Sequence, residues 1–344
     1  MKPTILVTGA TGFIGLELSR YLAAQGLKPR LLVRRPDRTL LVSGLDATVV
    51  PGDLQDPASL DRAVRGVDTI IHLGGRALFE RYELVQGTLL QGSVALMRAA
   101  IQANVGSFIF ASSLLTYASQ SEVIDAATPL QPQGGYGRAK AEAEHILEEM
   151  AKTAGMRLAI LRLPHTYGPG SLLFDQIRRG WMFQPGPGTN VYSHMHVHDS
   201  ARLLTEVALS NWSGSSPVAD AQPCTWRDFF RVCREFYPYF RYLRLPYGLA
   251  LGGAALAEGF FGLLRRPAMM TRDAIRSFNL NLAVQPGLVW DDLGLNPEFP
   301  TVREGLADVV CRSMPFAWRP SVHDRCRCYL DKGGCPVNEP PEKI

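Results

Sequence analysis

Apolar positions follow two rhythms in the first half of the chain. Short unbroken runs recur at Thr4–Thr8, Pro29–Val33, Ala47–Val50, Val67–Leu73, Ser107–Ala111 and Arg157–Arg162, the pattern of buried strands. Between them lie segments whose apolar residues repeat at helical spacing: Gly15–Gln25, Asp56–Arg65, Leu84–Ala103 and Gly137–Ala154. In the first of these Leu16, Leu18, Tyr21 and Leu22 share a side, and Gly26 ends the helix. Strands alternating with helices predict an α/β fold, a doubly wound parallel sheet covered on both faces. After Pro164 the rhythm breaks. Turn signals crowd Tyr167-Gly168-Pro169-Gly170 and Gln184-Pro185-Gly186-Pro187-Gly188. Helical spacing resumes at Ser200–Leu209, Trp226–Phe236, Tyr247–Leu264 and Thr301–Cys311. The expected organisation is a Rossmann-type domain over residues 1–165, with segments returning to it from about 190–210. A smaller, mostly helical substrate domain then spans 166–320, and an irregular Cys-containing tail 321–344.

Composition narrows the function. The net charge of +4 over 344 residues is small and dispersed, with no block of like charges and no basic-aromatic patch, which argues against nucleic acid. Met1-Lys2-Pro3-Thr4 leads straight into the first strand without a secretory apolar region, so a cytoplasmic location is expected, with the six cysteines reduced. The longest apolar stretch, Tyr247 to Leu264, carries Glu258 and five glycines and is bounded by Pro246 and by Arg265-Arg266-Pro267. It falls short of the about 20 apolar residues of a spanning helix.

Thr8-Gly9-Ala10-Thr11-Gly12-Phe13-Ile14-Gly15 lies between the first strand and the first helix. Such a turn needs glycine, and the backbone N–H groups opening the helix can face a pyrophosphate. Gly9, Thr11, Gly12, Phe13, Ile14 and Gly15 are therefore candidate dinucleotide ligands. The second strand ends in Val33-Arg34-Arg35-Pro36, where an acid would read a ribose 2′-hydroxyl. Arg34 and Arg35 suit a 2′-phosphate instead, which favours NADP; Asp37 keeps NAD open.

These motifs, in this order, resemble the extended short-chain dehydrogenase/reductase family, which includes the NAD-dependent epimerase/dehydratases. Gly52-Asp53-Leu54 resembles the family's adenine-contacting segment, and Ile71-His72-Leu73-Gly74-Gly75 the segment behind the adenosine. Phe110-Ala111-Ser112-Ser113 resembles its serine strand, Tyr136-Gly137-Arg138-Ala139-Lys140 its Y-x-x-x-K pair, and His196-Val197-His198-Asp199 an element of its substrate domain. The resemblance implies that Asp53, Leu54, Leu73, Gly74 and Lys140 bind cofactor. It implies Tyr136 as acid/base, Lys140 as the residue lowering the tyrosine pKa, and Ser113 as the substrate-oxygen ligand, with Tyr117 following at the usual spacing and Ser112 as fallback. It also implies a homodimer through Leu84–Ala103 and Gly137–Ala154. The chemistry is self-consistent: a lysine four residues on shares the tyrosine's helix face, and its ammonium favours the phenolate.

Two departures bear on substrate. The family's helical asparagine falls near Leu89, with Gln91 two residues on. The R-x-x-N of nucleotide-sugar enzymes reads Arg162-Leu163-Pro164-His165, leaving His165 as either a substrate contact or a loop residue. The segment Leu245-Pro246-Tyr247 through Arg266-Pro267, followed by Met270-Thr271-Arg272, resembles the 3β-hydroxysteroid dehydrogenase branch. It is open to two readings: a buried helix, or an apolar surface that lines the pocket or rests on a membrane, with Arg265 and Arg266 at the headgroups. The leading expectation is an NAD(P)-dependent oxidoreductase acting on a hydroxyl or keto group of a small hydrophobic substrate. The alternatives are a nucleotide-sugar epimerase or dehydratase, and a non-catalytic cofactor-binding assembly subunit. His323, Cys326, Cys328 and Cys335 place four soft ligands within thirteen residues, a set that suggests zinc, but they do not form paired C-x2-C knuckles; the alternative is a tail with free thiols, and no metal site is assigned. The alternating His194, His196 and His198 are read as structural, and Cys224, Cys233 and Cys311 as small core residues.

Overall fold

The computed structural model describes residues 2–75, 79–264, 268 and 270–313. The first half builds β1 (Ile5–Thr8), α1 (Phe13–Ala24), β2 (Arg30–Val33), β3 (Thr48–Pro51), α2 (Pro57–Ala63) and β4 (Thr69–His72). Then come α3 (Tyr82–Gln86), α4 (Gly92–Gln102), β5 (Ser107–Ser113), α5 (Gly135–Ala154) and β6 (Arg157–Leu163). A wide π turn at Gly87–Gln91 joins α3 to α4. The continuous stretch Tyr82–Gln102 is long and apolar enough to cross a membrane by length and composition, yet it packs between α2 and α5.

The second half supplies β7 (His165–Tyr167), α6 (Leu172–Arg178), β8 (Trp181–Pro185), β9 (Val191–Tyr192), β10 (His194–His196), α7 (Val197–Leu209) and β11 (Gly214–Pro217). It continues with β12 (Cys224–Thr225), α8 (Trp226–Phe236), β13 (Arg241–Leu245), α9 (Tyr247–Leu263), α10 (Arg272–Phe278), α11 (Val289–Asp292) and α12 (Val302–Ser313). The proposed soft-ligand set in the tail lies outside the described residues.

Seven strands form one sheet in the order β11-β6-β5-β4-β1-β2-β3, every pair parallel. Successive residues of a strand face opposite sides. Ile5 and Val7 pack with Leu18 and Leu22 of α1 and Leu203 and Val207 of α7. Leu6 packs with Leu60 of α2, Leu96 of α4 and Leu147 of α5 on the other side. Burial on both faces is why these strands read as unbroken apolar runs.

The seventh strand escapes the apolar pattern. Gly214-Ser215-Ser216-Pro217 pairs only with β6, and an edge position tolerates polar residues and proline. It lies outside the 190–210 return, and Trp290 of α11 also packs into the α1–α7 layer. The remaining core is aromatic: Tyr167, Phe174, Tyr192, Trp226, Phe229 and Phe230 gather with Leu306 of α12. α9 departs from the buried-helix expectation. Only Ala250 and Ala254 of its residues are buried, against Ile275 of α10, and its large side chains face outward.

Candidate active site

The sheet's order reverses direction between β1 and β4, and ligands of such sheets bind in the crevice at that switch. The loops leaving the two strands touch here. Gly9 has φ +70°, and a Cβ on it would stand 2.8 Å from the Leu73 carbonyl and 2.9 Å from the Gly74 nitrogen. Gly12 N donates to Gly9 O at 2.9 Å, closing the turn, and a Cβ on Gly15 would overlap the Gly9 carbonyl oxygen. Gly12 caps α1 without a side-chain acceptor, so the first amides of a 12-residue helix keep their donors for a ligand.

A buried polar chain fixes the second loop. Ser93 Oγ donates to Leu89 O at 2.6 Å, so its lone pairs accept from His72 Nε2 at 2.9 Å. His72 Nδ1 then accepts from Thr8 Oγ1 at 2.6 Å, whose oxygen accepts from Gly74 N at 3.0 Å. The chain requires a neutral imidazole, and burial, aided by the nearby Lys140 charge, lowers the His72 pKa to about 3. The sequence motif contained His72 without revealing this role. Leu54 closes over Gly74, and Asp53 lies 3.9 Å from Arg34. Arg35 is exposed beside it. Gly9, Gly12 and Gly15 thus wall one end of the crevice, with Leu73, Gly74 and Leu54 beside them, while Ile14 packs on the core and Phe13 reaches towards Gly168. This glycine-walled cradle fits a dinucleotide.

Tyr136 sits between two glycines that are pressed against neighbouring backbone. A Cβ on Gly135 would overlap Tyr82 N, and one on Gly137 would overlap the Leu115 carbonyl oxygen. One turn on, Lys140 Nζ donates to Ala111 O at 2.7 Å and lies 4.4 Å from the Phe110 ring centre. Burial lowers the lysine pKa to about 8, against the pull of Glu144, and raises the Tyr136 pKa to about 12. This corrects the expected lowering of the tyrosine pKa by Lys140. The ammonium is engaged with a carbonyl and a ring, and desolvation of the phenol dominates.

The two serines divide cleanly. Ser112 is buried and donates to Glu144, which Arg162 holds through Nε at 2.9 Å and Nη2 at 2.8 Å. Arg162 Nη1 also donates to Tyr117 Oη at 2.7 Å. Ser112 and Tyr117 therefore belong to a buried ionic knot under the sheet edge. Ser113 lies at the strand end, where its Oγ accepts from Leu115 N at 3.2 Å and keeps its own proton. Leu89 packs with Val85, Ala139, Tyr82 and Tyr136, so an apolar side chain stands where relatives often carry asparagine.

Residues from the far C-terminal side complete the site. Thr271 Oγ1 donates to Phe79 O, and the Phe79 ring meets the Tyr136 ring edge-on at 5.7 Å. Asp273 Oδ2 accepts from Gly135 N at 2.9 Å, at the start of α5. Phe79, Leu115, Tyr136 and Leu280 line a cavity that shares Gln133, Arg276 and Leu280 with a larger cleft of about 640 Å³. Tyr247 of α9 stands on that cleft. No spacing rule could have assigned Asp273 to this site, because Gly135, whose amide it accepts from, is remote in sequence. His165 is not a free loop residue. Its Nδ1 bonds His194 Nδ1 at 2.9 Å, its ring lies 4.8 Å from Trp226, and burial lowers its pKa to about 4. Among the described residues no group of three or more metal-ligating side chains is present.

Comparison with known proteins agrees with this geometry. Residues 5–217 match the NAD dependent epimerase/dehydratase family. Sterol demethylase protein B of Methylococcus capsulatus is 32% identical over 329 residues, covering 89% of the chain and 97% of the relative. Ceramide reductase of Caulobacter vibrioides is 29% identical over 275 residues, covering 78% and 81%. The NAD complex of Thermus thermophilus UDP-glucose 4-epimerase superposes with a TM-score of 0.72 at 20% identity, covering 91% of the chain and 99% of that structure, a likeness of fold.

Proposed function

The chain belongs to the NAD dependent epimerase/dehydratase family and is an NAD(P)-dependent oxidoreductase; from that premise we propose that its substrate is a hydrophobic alcohol or ketone of the sterol or long-chain lipid class. The observation that carries this reading is the cleft of about 640 Å³ that reaches the apolar helix α9 at Tyr247 and shares Gln133, Arg276 and Leu280 with the small cavity of about 10 Å³ beside Tyr136. The names of the sterol and ceramide relatives support it. The packing of His165 against Trp226 and Phe229 supports a structural role for it over sugar recognition.

The nicotinamide, when bound, supplies or accepts the hydride. Tyr136 exchanges a proton with the substrate oxygen, and Ser113 Oγ holds that oxygen by a hydrogen bond. A phenol pKa raised to about 12 keeps Tyr136 protonated near neutrality, the state needed to donate to a developing alkoxide. Lys140 anchors α5 to the end of β5 through Ala111 and serves the cofactor ribose. Arg34 and Arg35 at the end of β2 favour NADP. The nearest carboxylate to Arg34, at 3.9 Å, is beyond hydrogen-bond length, which leaves its N–H groups for a phosphate. We further propose a cytoplasmic homodimer through Leu84–Ala103 and Gly137–Ala154, supported by the exposed Leu84 of α3 and Ile146 of α5, with peripheral membrane contact through 247–266.

The test follows NADPH and NADH consumption with a 3-keto sterol and a long-chain keto lipid in detergent, and with UDP-glucose. Stoichiometric oxidation with a lipid ketone, lost in Tyr136→Phe, is the expected result. Conversion of UDP-glucose without net cofactor turnover would overturn it in favour of an epimerase.

A further inference from the structure

β8 and β13 pair in parallel, with Trp181 opposite Arg241, Phe183 opposite Leu243 and Pro185 opposite Leu245. These three pairs share one face of the ribbon, because side chains alternate along a strand. The other face is filled: Met182 is buried and Tyr242 stacks on Phe230. On the outer face only the third pair is covered, where Leu245 packs with Ala250, Ala254 and Ile275 of α9 and α10. The first two pairs stay open, with Trp181 54%, Phe183 49% and Leu243 47% exposed. α9 thus sits on the same side as the open aromatic pairs. It adds Leu249, Leu256 and Leu263, the last two 77% and 84% exposed, and Phe260. Contiguous exposed apolar surface of this extent marks an interaction site.

We infer that the outer face of β8 and β13, continued by α9, is a docking surface for an anionic lipid bilayer and sets the mouth of the substrate cleft against the membrane. Charge selects this occupant. Arg179 and Arg241 are exposed around the patch, with the Arg241 guanidinium 5.9 Å from the Trp181 ring centre. Glu258 is the only acid on β8, β13 and α9, and Arg272 holds it through its backbone N at 2.6 Å and Nε at 2.8 Å. An apolar patch with tryptophan and a basic rim matches the bilayer interface, where aromatic rings sit at headgroup depth and arginines meet anionic lipid. Tyr247, the first residue of α9, lies on the cleft that leads to Tyr136, so docking places that opening where a lipid can leave the bilayer. This rests on the hydrophobic-substrate reading above, and it adds the β8–β13 ribbon, outside residues 247–266, to the lipid-facing surface.

Flotation of the full chain on liposomes tests it without any substrate. Wild type should float with phosphatidylcholine vesicles containing about one third phosphatidylglycerol, and much less with phosphatidylcholine alone. Combined Trp181→Ala, Phe183→Ala and Leu243→Ala should lower partitioning by about tenfold or more, and Arg179→Gln with Arg241→Gln should remove the phosphatidylglycerol preference. The difference in emission between wild type and Trp181→Phe should shift to the blue on adding anionic vesicles. Equal flotation of the apolar triple variant, or no flotation of wild type, would overturn the inference. A change from dimer to monomer in the triple variant by light scattering, without an effect on flotation, would assign the face to a second copy instead. NADP binding unchanged in every variant verifies folding. Flotation with no turnover of lipid ketones would sink the substrate reading and leave the surface standing.

Discussion

Asp273 and Thr271 hold the two segments that pack around Tyr136, and the clearest prediction concerns that clasp. Asp273 Oδ2 accepts from Gly135 N at 2.9 Å, one residue before the tyrosine, and Thr271 Oγ1 holds Phe79, whose ring packs on the tyrosine. Asp273→Ala leaves the Gly135 amide without its acceptor at the start of a 20-residue helix. Loss of such an acceptor costs about 0.5–2 kcal/mol, and loss of a carboxylate from the helix's positive end about 0.3–1 kcal/mol. The stability cost is therefore modest, whereas a displacement of about 1 Å at a catalytic group costs on the order of a hundredfold in rate. The expectation is a kcat lowered by about tenfold to a hundredfold, with NADP affinity unchanged because the glycine cradle lies elsewhere. Asp273→Asn keeps an acceptor and should retain most of the rate. A second readout needs no substrate. In protein labelled at the tyrosine Cζ carbon, with Tyr136→Phe identifying the signal, water admitted by Asp273→Ala should pull the Tyr136 titration down from about 12. An alanine variant with wild-type kcat and an unmoved titration would refute the reasoning. So would an asparagine variant as impaired as the alanine.

Three further outcomes follow from geometry and charge. Gly137→Ala forces a Cβ into the Leu115 carbonyl, and backbone cannot yield there. Overpacking of about 1–3 kcal/mol and near-complete loss of turnover should appear together in urea titrations and NADPH oxidation. Arg34→Ala and Arg35→Ala should each weaken NADP binding by about tenfold and leave NAD unchanged in calorimetry, as expected for lost hydrogen bonds to a charged group. For the buried histidines acid stability carries a definite sign. Burial lowers His72 and His196 to about 3 and His165 to about 4, all below the ordinary 6.5, so below pH 6.5 the unfolded chain binds more protons at these sites than the folded one. These three histidines should lower folding stability as pH drops from 6.5 towards 4, while the carboxyls of Glu144, Asp199, Asp220 and Asp308, raised by burial, act in the opposite sense; in an NMR titration the three imidazoles should stay neutral down to pH 5, and a signal from any of them titrating near 6.5 would contradict the assignment.

Six of the seven strands were legible, the inner ones because a strand buried on both faces must be apolar throughout, as Ile5-Leu6-Val7 shows, and the half-exposed edge strand β3 through its two valines. The edge strand Gly214–Pro217 carries no such signal, since only β6 constrains it. Tyr136 and Lys140 were legible through the resemblance of their segment to the family's Y-x-x-x-K, whose spacing places both on one helix face, and the glycine loop because only glycine fits a turn packed onto the Leu73 carbonyl. The direction of the Tyr136 pKa was not, because desolvation depends on what the whole fold packs around a group. Asp273 was equally hidden, lying 138 residues from the amide it holds. His165 looked like a loop residue beside Pro164 and entered the core because Trp226 and Phe229 of α8 close over it.

The placement of α10 joins these features physically. Its first turn grips Phe79 and Gly135, its Ile275 packs under Ala250 and Ala254 of α9, and its Arg276 lines both the small cavity and the larger cleft. One seven-residue helix therefore touches the segments that set Tyr136, the apolar helix that faces outward, and the passage between them. Removing apolar side chains from the exposed side of α9, at Leu256 or Leu263, leaves all three contacts intact. Removing Ala250 or Ala254 packing by a larger residue displaces α10 and with it the Asp273 acceptor. Surface and core substitutions on the same helix should thus separate, the first altering lipid binding alone and the second altering kcat as Asp273→Ala does. A loss of kcat without detergent or lipid in the Leu256→Ala variant would show that the outer face is part of the fold rather than a contact surface.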